Sequence, residues 1–402
     1  MAQQGLGNFF ETYLKKEPLF INKKVLQASY TPENIPHREE QIESVASILA
    51  PALRMEKPSN LFLYGKTGTG KTLSIKYVMN QLLETAKKKN IPLEIYYINC
   101  KLKRVADTEY RIISQLARLF GRELPSTGLP TDEIYRLFIE SIDKEKKLLL
   151  LILDEIDQLV KKAGDEILYN LTRMNTELKN VEISIIGISN DLVFTESLDP
   201  RVKSSLSEEE LVFPPYNALQ LQDILRERSQ KAFREGTVSE GVIEKCAAYA
   251  AREHGDARRA LELLRVAGEL AERKNENKIK IKHIDDAEDK IERDRILDIA
   301  KTQPKQIQAT MLSILNVAAK NENQIFTGDV YRLYKEYCIA SGLKPLTQRR
   351  VSDIIAELDM LGIINARVVS KGRYGRTREI VLAIPSSNIS DIEQVLKDGL
   401  HL

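Results

Sequence analysis

The chain has 402 residues, 43% hydrophobic and 29% charged, with a net charge of +2. It is long enough for two or three domains, and any nucleic-acid surface must be local, since the two signs nearly cancel overall. Cys100, Cys246 and Cys338 lack CxxC spacing and the four histidines lack ligand spacing, which excludes a disulfide framework and a zinc site and points to a reducing compartment. The longest apolar run, residues 148–153, is too short to cross a bilayer. Residues 1–10 lack the pattern of a signal peptide.

Residues 1–18 read as a loosely held lead-in. Pro32 and Pro36 make residues 22–36 extended or turned. An amphipathic helix then runs to about residue 55. A segment in this position either folds over a nucleotide base or simply packs.

Residues 61–73 follow, an apolar strand leading into Gly65-Lys66-Thr67-Gly68-Thr69-Gly70-Lys71-Thr72 and then, from Leu73, a helix. This is a phosphate-binding loop in its strand–loop–helix setting. The glycines let backbone N–H groups turn inward as an anion nest at a helix N-terminus. Lys71 is suited to neutralise β/γ-phosphate charge, and the Thr72 hydroxyl to ligate Mg²⁺.

A helix over 73–89 and a strand over 94–98 come next, then a basic turn and helix over 101–121. Residues 124–129 form a loop. A further helix spans 131–143, with Thr131 as its expected cap. Residues 148–153 are wholly apolar, as in a strand buried on both faces of a parallel sheet. Asp154 and Glu155 follow it directly. Asp154 is placed to hold Mg²⁺ through its water shell, and Glu155 to orient the attacking water. The strand over 181–189 ends at Asn190, whose amide can hold that water or touch the γ-phosphate. Three signals thus fall at C-terminal strand ends, where open parallel sheets bind ligands.

Arg201 sits in a proline-ordered turn, as an arginine finger or as a solvated surface residue. A last strand covers 210–213. Residues 217–300 are helical at 3.6-residue spacing. Within them, Arg258 and Arg259 lie in a helix's first turn, where positive charge opposes the helix dipole. An anion, or salt bridges to nearby acids, would offset it.

Residues 306–402 read as three helices (307–320, 327–341, 347–361) and two strands (364–369, 379–383) around a basic loop, the pattern of a winged helix. From Lys344 to Arg378 there are eight Lys/Arg and three acids, a local excess of five. Thr347, Gln348, Arg349, Arg350 and Ser352 lie near the start of the third helix, where a recognition helix meets base edges. Lys371, Arg373, Tyr374, Arg376 and Arg378 mix cations with an aromatic, as groove and backbone contacts require. Use for protein contacts is the alternative.

Together these elements resemble the AAA+ class, and more narrowly the archaeal replication initiators related to the origin recognition complex and the cell division control protein six. The resemblance runs from about residue 21 to residue 396. It implies an α/β P-loop AAA+ domain with a parallel sheet (19–215), an all-α lid (216–303) and a C-terminal winged helix (304–402). It makes Asn190 the sensor-one residue, Arg201 the arginine finger and Arg258 the sensor-two arginine, and it places Pro36, His37 and Arg38 against adenine. A DNA-touching insertion falls within 101–122, with Lys101, Lys103 and Arg104 as its basic residues. The implied activity is slow ATP hydrolysis with Mg²⁺, the ATP and ADP states acting as a switch. The implied partners are duplex origin DNA, the replicative minichromosome-maintenance helicase and paralogous initiators, with no membrane, in the cytoplasm at the nucleoid. A transcriptional regulator with a structural nucleotide and a clamp-loader-like assembly ATPase are the competing classes.

Overall fold

The structure is a computed structural model that describes residues 17–101, 108–125, 128–206, 208–320, 325–370, 376–385 and 388–402. Two compact units divide the chain, Met1–Ile284 and Asp285–Leu402.

The first unit is built on five parallel strands, β1 (Asn60–Tyr64), β2 (Leu93–Asn99), β3 (Lys147–Asp154), β4 (Val181–Ser189) and β5 (Glu208–Val212), in the order β2-β3-β4-β1-β5. The apolar run in β3 has a geometric reason. Side chains alternate across a strand, so Leu149, Leu151 and Leu153 enter one core while Leu148, Leu150 and Ile152 enter the other. β1 divides likewise, Phe62 and Tyr64 against Leu61 and Leu63. Gly187 of β4 lets the Phe62 ring come so close that an added Cβ would lie 2.5 Å from it. The register pairs Tyr64 with Ser189 and Asn99 with Asp154. The C-terminal ends of four strands are therefore level, and the loops leaving them share one crevice.

Helices α1 (Glu39–Leu49), α2 (Lys71–Lys88), α3 (Glu109–Leu119), α4 (Thr131–Ile142), α5 (Ile156–Ala163), α6 (Glu166–Arg173) and α7 (Pro200–Leu206) complete this part. α1 continues as a 3₁₀ turn over Ala50–Arg54. Thr131 is not the cap of α4. Pro130 holds that position, and no side chain caps the helix.

The lid contains α8 (Ala218–Ala232), α9 (Val242–Arg252) and α10 (Ala257–Arg273). The segment before α1 is fastened to it. Ile21 N–H donates to Ala232 O at 2.8 Å and Arg234 N–H to Leu19 O at 3.1 Å. Lys23 pairs with Glu269 at 2.6 Å, and the Phe20 and Phe233 ring centroids lie 4.6 Å apart. Residues 19–26 thus pack with the lid although they precede the sheet in sequence. α11 (Ile281–Thr302) carries the chain across the boundary of the two units.

The second unit holds α12 (Lys305–Lys320), β6 (Ile325–Phe326), α13 (Thr327–Ala340), α14 (Gln348–Met360), β7 (Ile364–Ser370), β8 (Arg376–Leu382) and α15 (Ile389–Leu400). The strands form an antiparallel sheet in the order β6-β8-β7. This is a winged helix with an extra short strand and a closing helix that the sequence pattern did not single out.

Candidate nucleotide site and nucleic-acid interface

Glycine conformation sets the phosphate loop. Gly68 has φ +70°, and a Cβ there would meet Asp256 Oδ1 at 1.7 Å. Asp256 caps α10, accepting from Arg258 N–H at 2.7 Å and Arg259 N–H at 3.3 Å. Ala257 N–H reaches Gly68 O at 3.3 Å. The lid helix therefore docks on the phosphate loop through its own cap, and of the two first-turn arginines Arg259 pairs with a nearby acid, Glu253, at 3.2 Å.

Lys71 begins α2 and is 5% exposed. Its ammonium donates to Gly65 O at 2.7 Å, Lys66 O at 2.8 Å and Asn190 Oδ1 at 3.0 Å. Burial pulls its pKa down to about 8; Asp154 opposes the shift and Arg258 adds to it. Thr72 Oγ1 donates to Asp154 Oδ2 at 3.0 Å. The phosphate-loop residues, the β3 carboxylate and Asn190 thus meet, as the level strand ends require.

These groups line a cavity of about 380 Å³ that Pro36, Thr67, Leu73, Glu155 and Arg258 also border. Glu155 takes a left-handed conformation, φ +57°, at the N-cap of α5, a strained setting for a non-glycine residue of the kind found at functional sites. Its carboxylate lies 3.6 Å from Lys101 Nζ. Lys101 borders the cavity as well, so this expected DNA residue faces the nucleotide site.

Two residues expected at adenine are engaged elsewhere. His37 pairs with Asp223 at 3.1 Å. Arg38 is 1% exposed and its guanidinium donates to Thr69 O at 2.8 Å, His37 O at 2.8 Å and Pro214 O at 2.5 Å. It also stacks 3.8 Å from the Tyr216 ring centroid. Arg38 braces the back of the phosphate loop against the chain entering the lid. The far wall of the cavity is instead drawn from residues 27–36 with Ile224, Arg228 and Leu261.

Arg201 does not border this cavity. It is 85% exposed at the start of α7 and pairs with Asp199 at 3.1 Å. The sequence reading missed Tyr97, which donates to Asp154 Oδ2 at 2.5 Å, and Asp157, a buried carboxylate that takes the Ser189 hydroxyl at 3.4 Å just behind Asn190. Strand pairing brings Tyr97 to the site, whereas Asp157 arrives by local spacing, three residues after Asp154 in the first turn of α5.

Mg²⁺ fits the donor set. A hydroxyl and a carboxylate, both hard oxygen ligands, stand together at Thr72 and Asp154. Among the described residues no three His, Cys, Asp or Glu side chains form a metal cage. An ion held here would therefore depend on phosphate oxygens and water, as Mg²⁺ usually does.

In the second unit, α14 buries Val351, Ile354, Ile355 and Leu358 and leaves Gln348, Arg349 and Arg350 exposed at its start. Thr347 caps it, accepting from Arg350 N–H at 3.4 Å. Arg350 has an ion-pair partner in Asp353 at 3.7 Å. Ser352 is taken up by Arg378 Nε at 3.3 Å, and Arg367 pairs with Glu379 at 2.6 Å. Part of the local positive excess is thus neutralised. Lys371, Arg373 and Tyr374 lie outside the described residues, as do Lys103 and Arg104. Arg376 opens β8.

A phosphate loop on a five-stranded parallel sheet, a lid arginine over the loop and a winged helix define an AAA+ ATPase with a DNA-binding type of appendage. Family models agree in all three parts: an AAA domain over 54–193, a Cdc6 AAA+ ATPase-type lid domain over 222–289 and a CDC6 C-terminal winged helix domain over 298–392. The chain is 54% identical to the ORC1-type DNA replication protein of Pyrococcus furiosus, over 96% of this chain and 92% of the relative. It is 51% identical to ORC1-type DNA replication protein 1 of Methanosarcina mazei, over 96% and 92%. The Aeropyrum pernix ORC1 protein, solved in complex with DNA, superposes with a TM-score of 0.84 at 43% identity, covering 95% of this chain and 98% of that one. The chain belongs to the family of archaeal ORC1-type DNA replication proteins.

Proposed function

We propose that this protein is an ATP-dependent replication initiator that binds duplex origin DNA and helps load the replicative minichromosome-maintenance helicase, with ATP and ADP as the two settings of a switch. The observation that carries the reading is the convergence of Lys71, Asn190, Thr72, Asp154 and Arg258 on one cavity. A β/γ-phosphate oxygen would replace one of the three oxygens now around Lys71. Thr72 and Asp154 would hold Mg²⁺, which would supply neutralisation of phosphate charge. Glu155 orients the attacking water, Asn190 reports the γ-phosphate to β4, and Arg258 reports it to the lid. Glu155 now lies beside Lys101 and would turn from it to engage that water; slow turnover is part of the proposal.

Arg201 is exposed and does not border its own cavity, which supports a role on the nucleotide of a neighbouring copy or paralogue. The relative solved in complex with DNA supports DNA binding, and the exposed residues at the start of α14 are the proposed contacts. An origin fragment with purified protein and helicase tests the proposal. Helicase is retained with ATP, retained longer with Glu155→Gln, and lost with Lys71→Ala. Equal retention by all three overturns the switch.

A further inference from the structure

Asp154 is 5% exposed, and its carboxylate has three donors. Glu155 N–H meets Oδ1 at 3.0 Å, while the hydroxyls of Thr72 and Tyr97 both meet Oδ2, at 3.0 and 2.5 Å. Tyr97 lies on β2 two residues before Asn99, the register partner of Asp154. Residues two apart share a sheet face, so the phenol runs along the sheet from its own place on β2 to the end of β3. Lys76 Nζ of α2 lies over its ring, 4.4 Å from the centroid. One aromatic side chain therefore touches both the strand that carries Asp154 and the helix that carries Thr72.

We propose that Tyr97 is the positioning residue of the Mg²⁺ site, fixing the Asp154 carboxylate so that Oδ2 stays turned toward Thr72. The inference rests on the nucleotide-site reading above. Without the phenol, Oδ2 keeps only the Thr72 donor, and the carboxylate is free to turn about its two side-chain torsions. Partners that orient a metal's ligands commonly contribute about 10–100-fold to metal affinity. Tyr97 itself neither touches phosphate nor binds the ion.

Calorimetry of ADP binding tests this, first in EDTA and then across a Mg²⁺ titration, with wild type and Tyr97→Phe. The Mg²⁺ concentration at half effect rises about tenfold in Tyr97→Phe, while ADP affinity in EDTA stays at the wild-type value and the protein remains folded. A folded Tyr97→Phe with an unmoved Mg²⁺ half-point overturns the inference and leaves the nucleotide site standing. A wild-type protein that binds no ADP in either condition overturns both. Should Tyr97→Phe not fold, 3-fluorotyrosine in place of Tyr97 preserves the shape. Its fluorine resonance moves in step with Mg²⁺ saturation of the ADP-bound protein, and a stationary resonance overturns the inference.

Discussion

Lys71 is a cation surrounded by main-chain and amide oxygens, and burial has pulled its pKa down to about 8. Phosphate favours the charged form, so the pKa of the bound state lies above that of the free state. Affinity is therefore complete below pH 8 and declines as pH rises through it, by up to about tenfold per unit. Calorimetric titration with ADP from about pH 7 to about pH 9.5 shows this decline in wild type and none in Lys71→Arg, whose guanidinium stays charged. Lys71→Ala binds no nucleotide in the same assay. Gly68 is a second point of sensitivity, since an alanine there both strains a positive φ and collides with Asp256. Gly68→Ala is expected to weaken ADP binding about tenfold or more, and Asp256→Ala to restore part of the loss while removing a helix cap that contributes about 1 kcal/mol. A fluorescent-ADP titration of the two single variants and the double variant decides it.

The elements around the site differ in how openly the sequence announces them. β3 is legible because its unbroken apolar run has no other economical reading, and the phosphate loop because glycines, Lys71 and Thr72 must occur in that order. Leu151 lies within β3 with both neighbouring strands packed beside it. Leu151→Ala is expected to cost about 2–5 kcal/mol, read as a shift of the denaturation midpoint without a change of slope. Residues 19–26 were assigned with the sheet, because chain order was the only guide. Their bonds to Ala232, Arg234 and Glu269 join positions more than 200 apart and leave no periodic trace. The family resemblance implies an adenine-side place for Arg38, yet three main-chain carbonyls, visible only in the folded chain, occupy its donors. Lys101 follows the same pattern, since the basic character of its segment is local and its closeness to Glu155 is not.

At the scale of the molecule, near-zero net charge means that a DNA-binding surface must be local, and the proposed one is on the second unit. Arg349 is exposed on α14, and Arg349→Ala is expected to reduce preference for a specific duplex by about 1–3 kcal/mol if it meets a base edge. Arg373→Ala with Arg376→Ala removes two positive charges from the basic segment 371–378. It is expected to weaken binding to all duplexes and to lower the salt slope by about 1–2 units, at about 0.9 per lost phosphate contact. Equilibrium binding across a salt series separates the two effects, because a base contact alters specificity and a phosphate contact alters slope. The winged helix was legible as a pattern of helices, strands and basic residues. The pairing of Arg367 with Glu379 and the engagement of Ser352 by Arg378 were not, because both depend on the sheet register and on how α14 lies against it.

The most direct measurement is a genome-wide footprint of the purified protein on its own DNA, with ATP at physiological salt. Protection of a few discrete repeats flanking an AT-rich region, lost in Lys71→Ala, is the predicted result. Protection clustered at promoters and unaffected by Lys71→Ala would contradict the initiator reading and mark a regulator whose nucleotide serves only the fold.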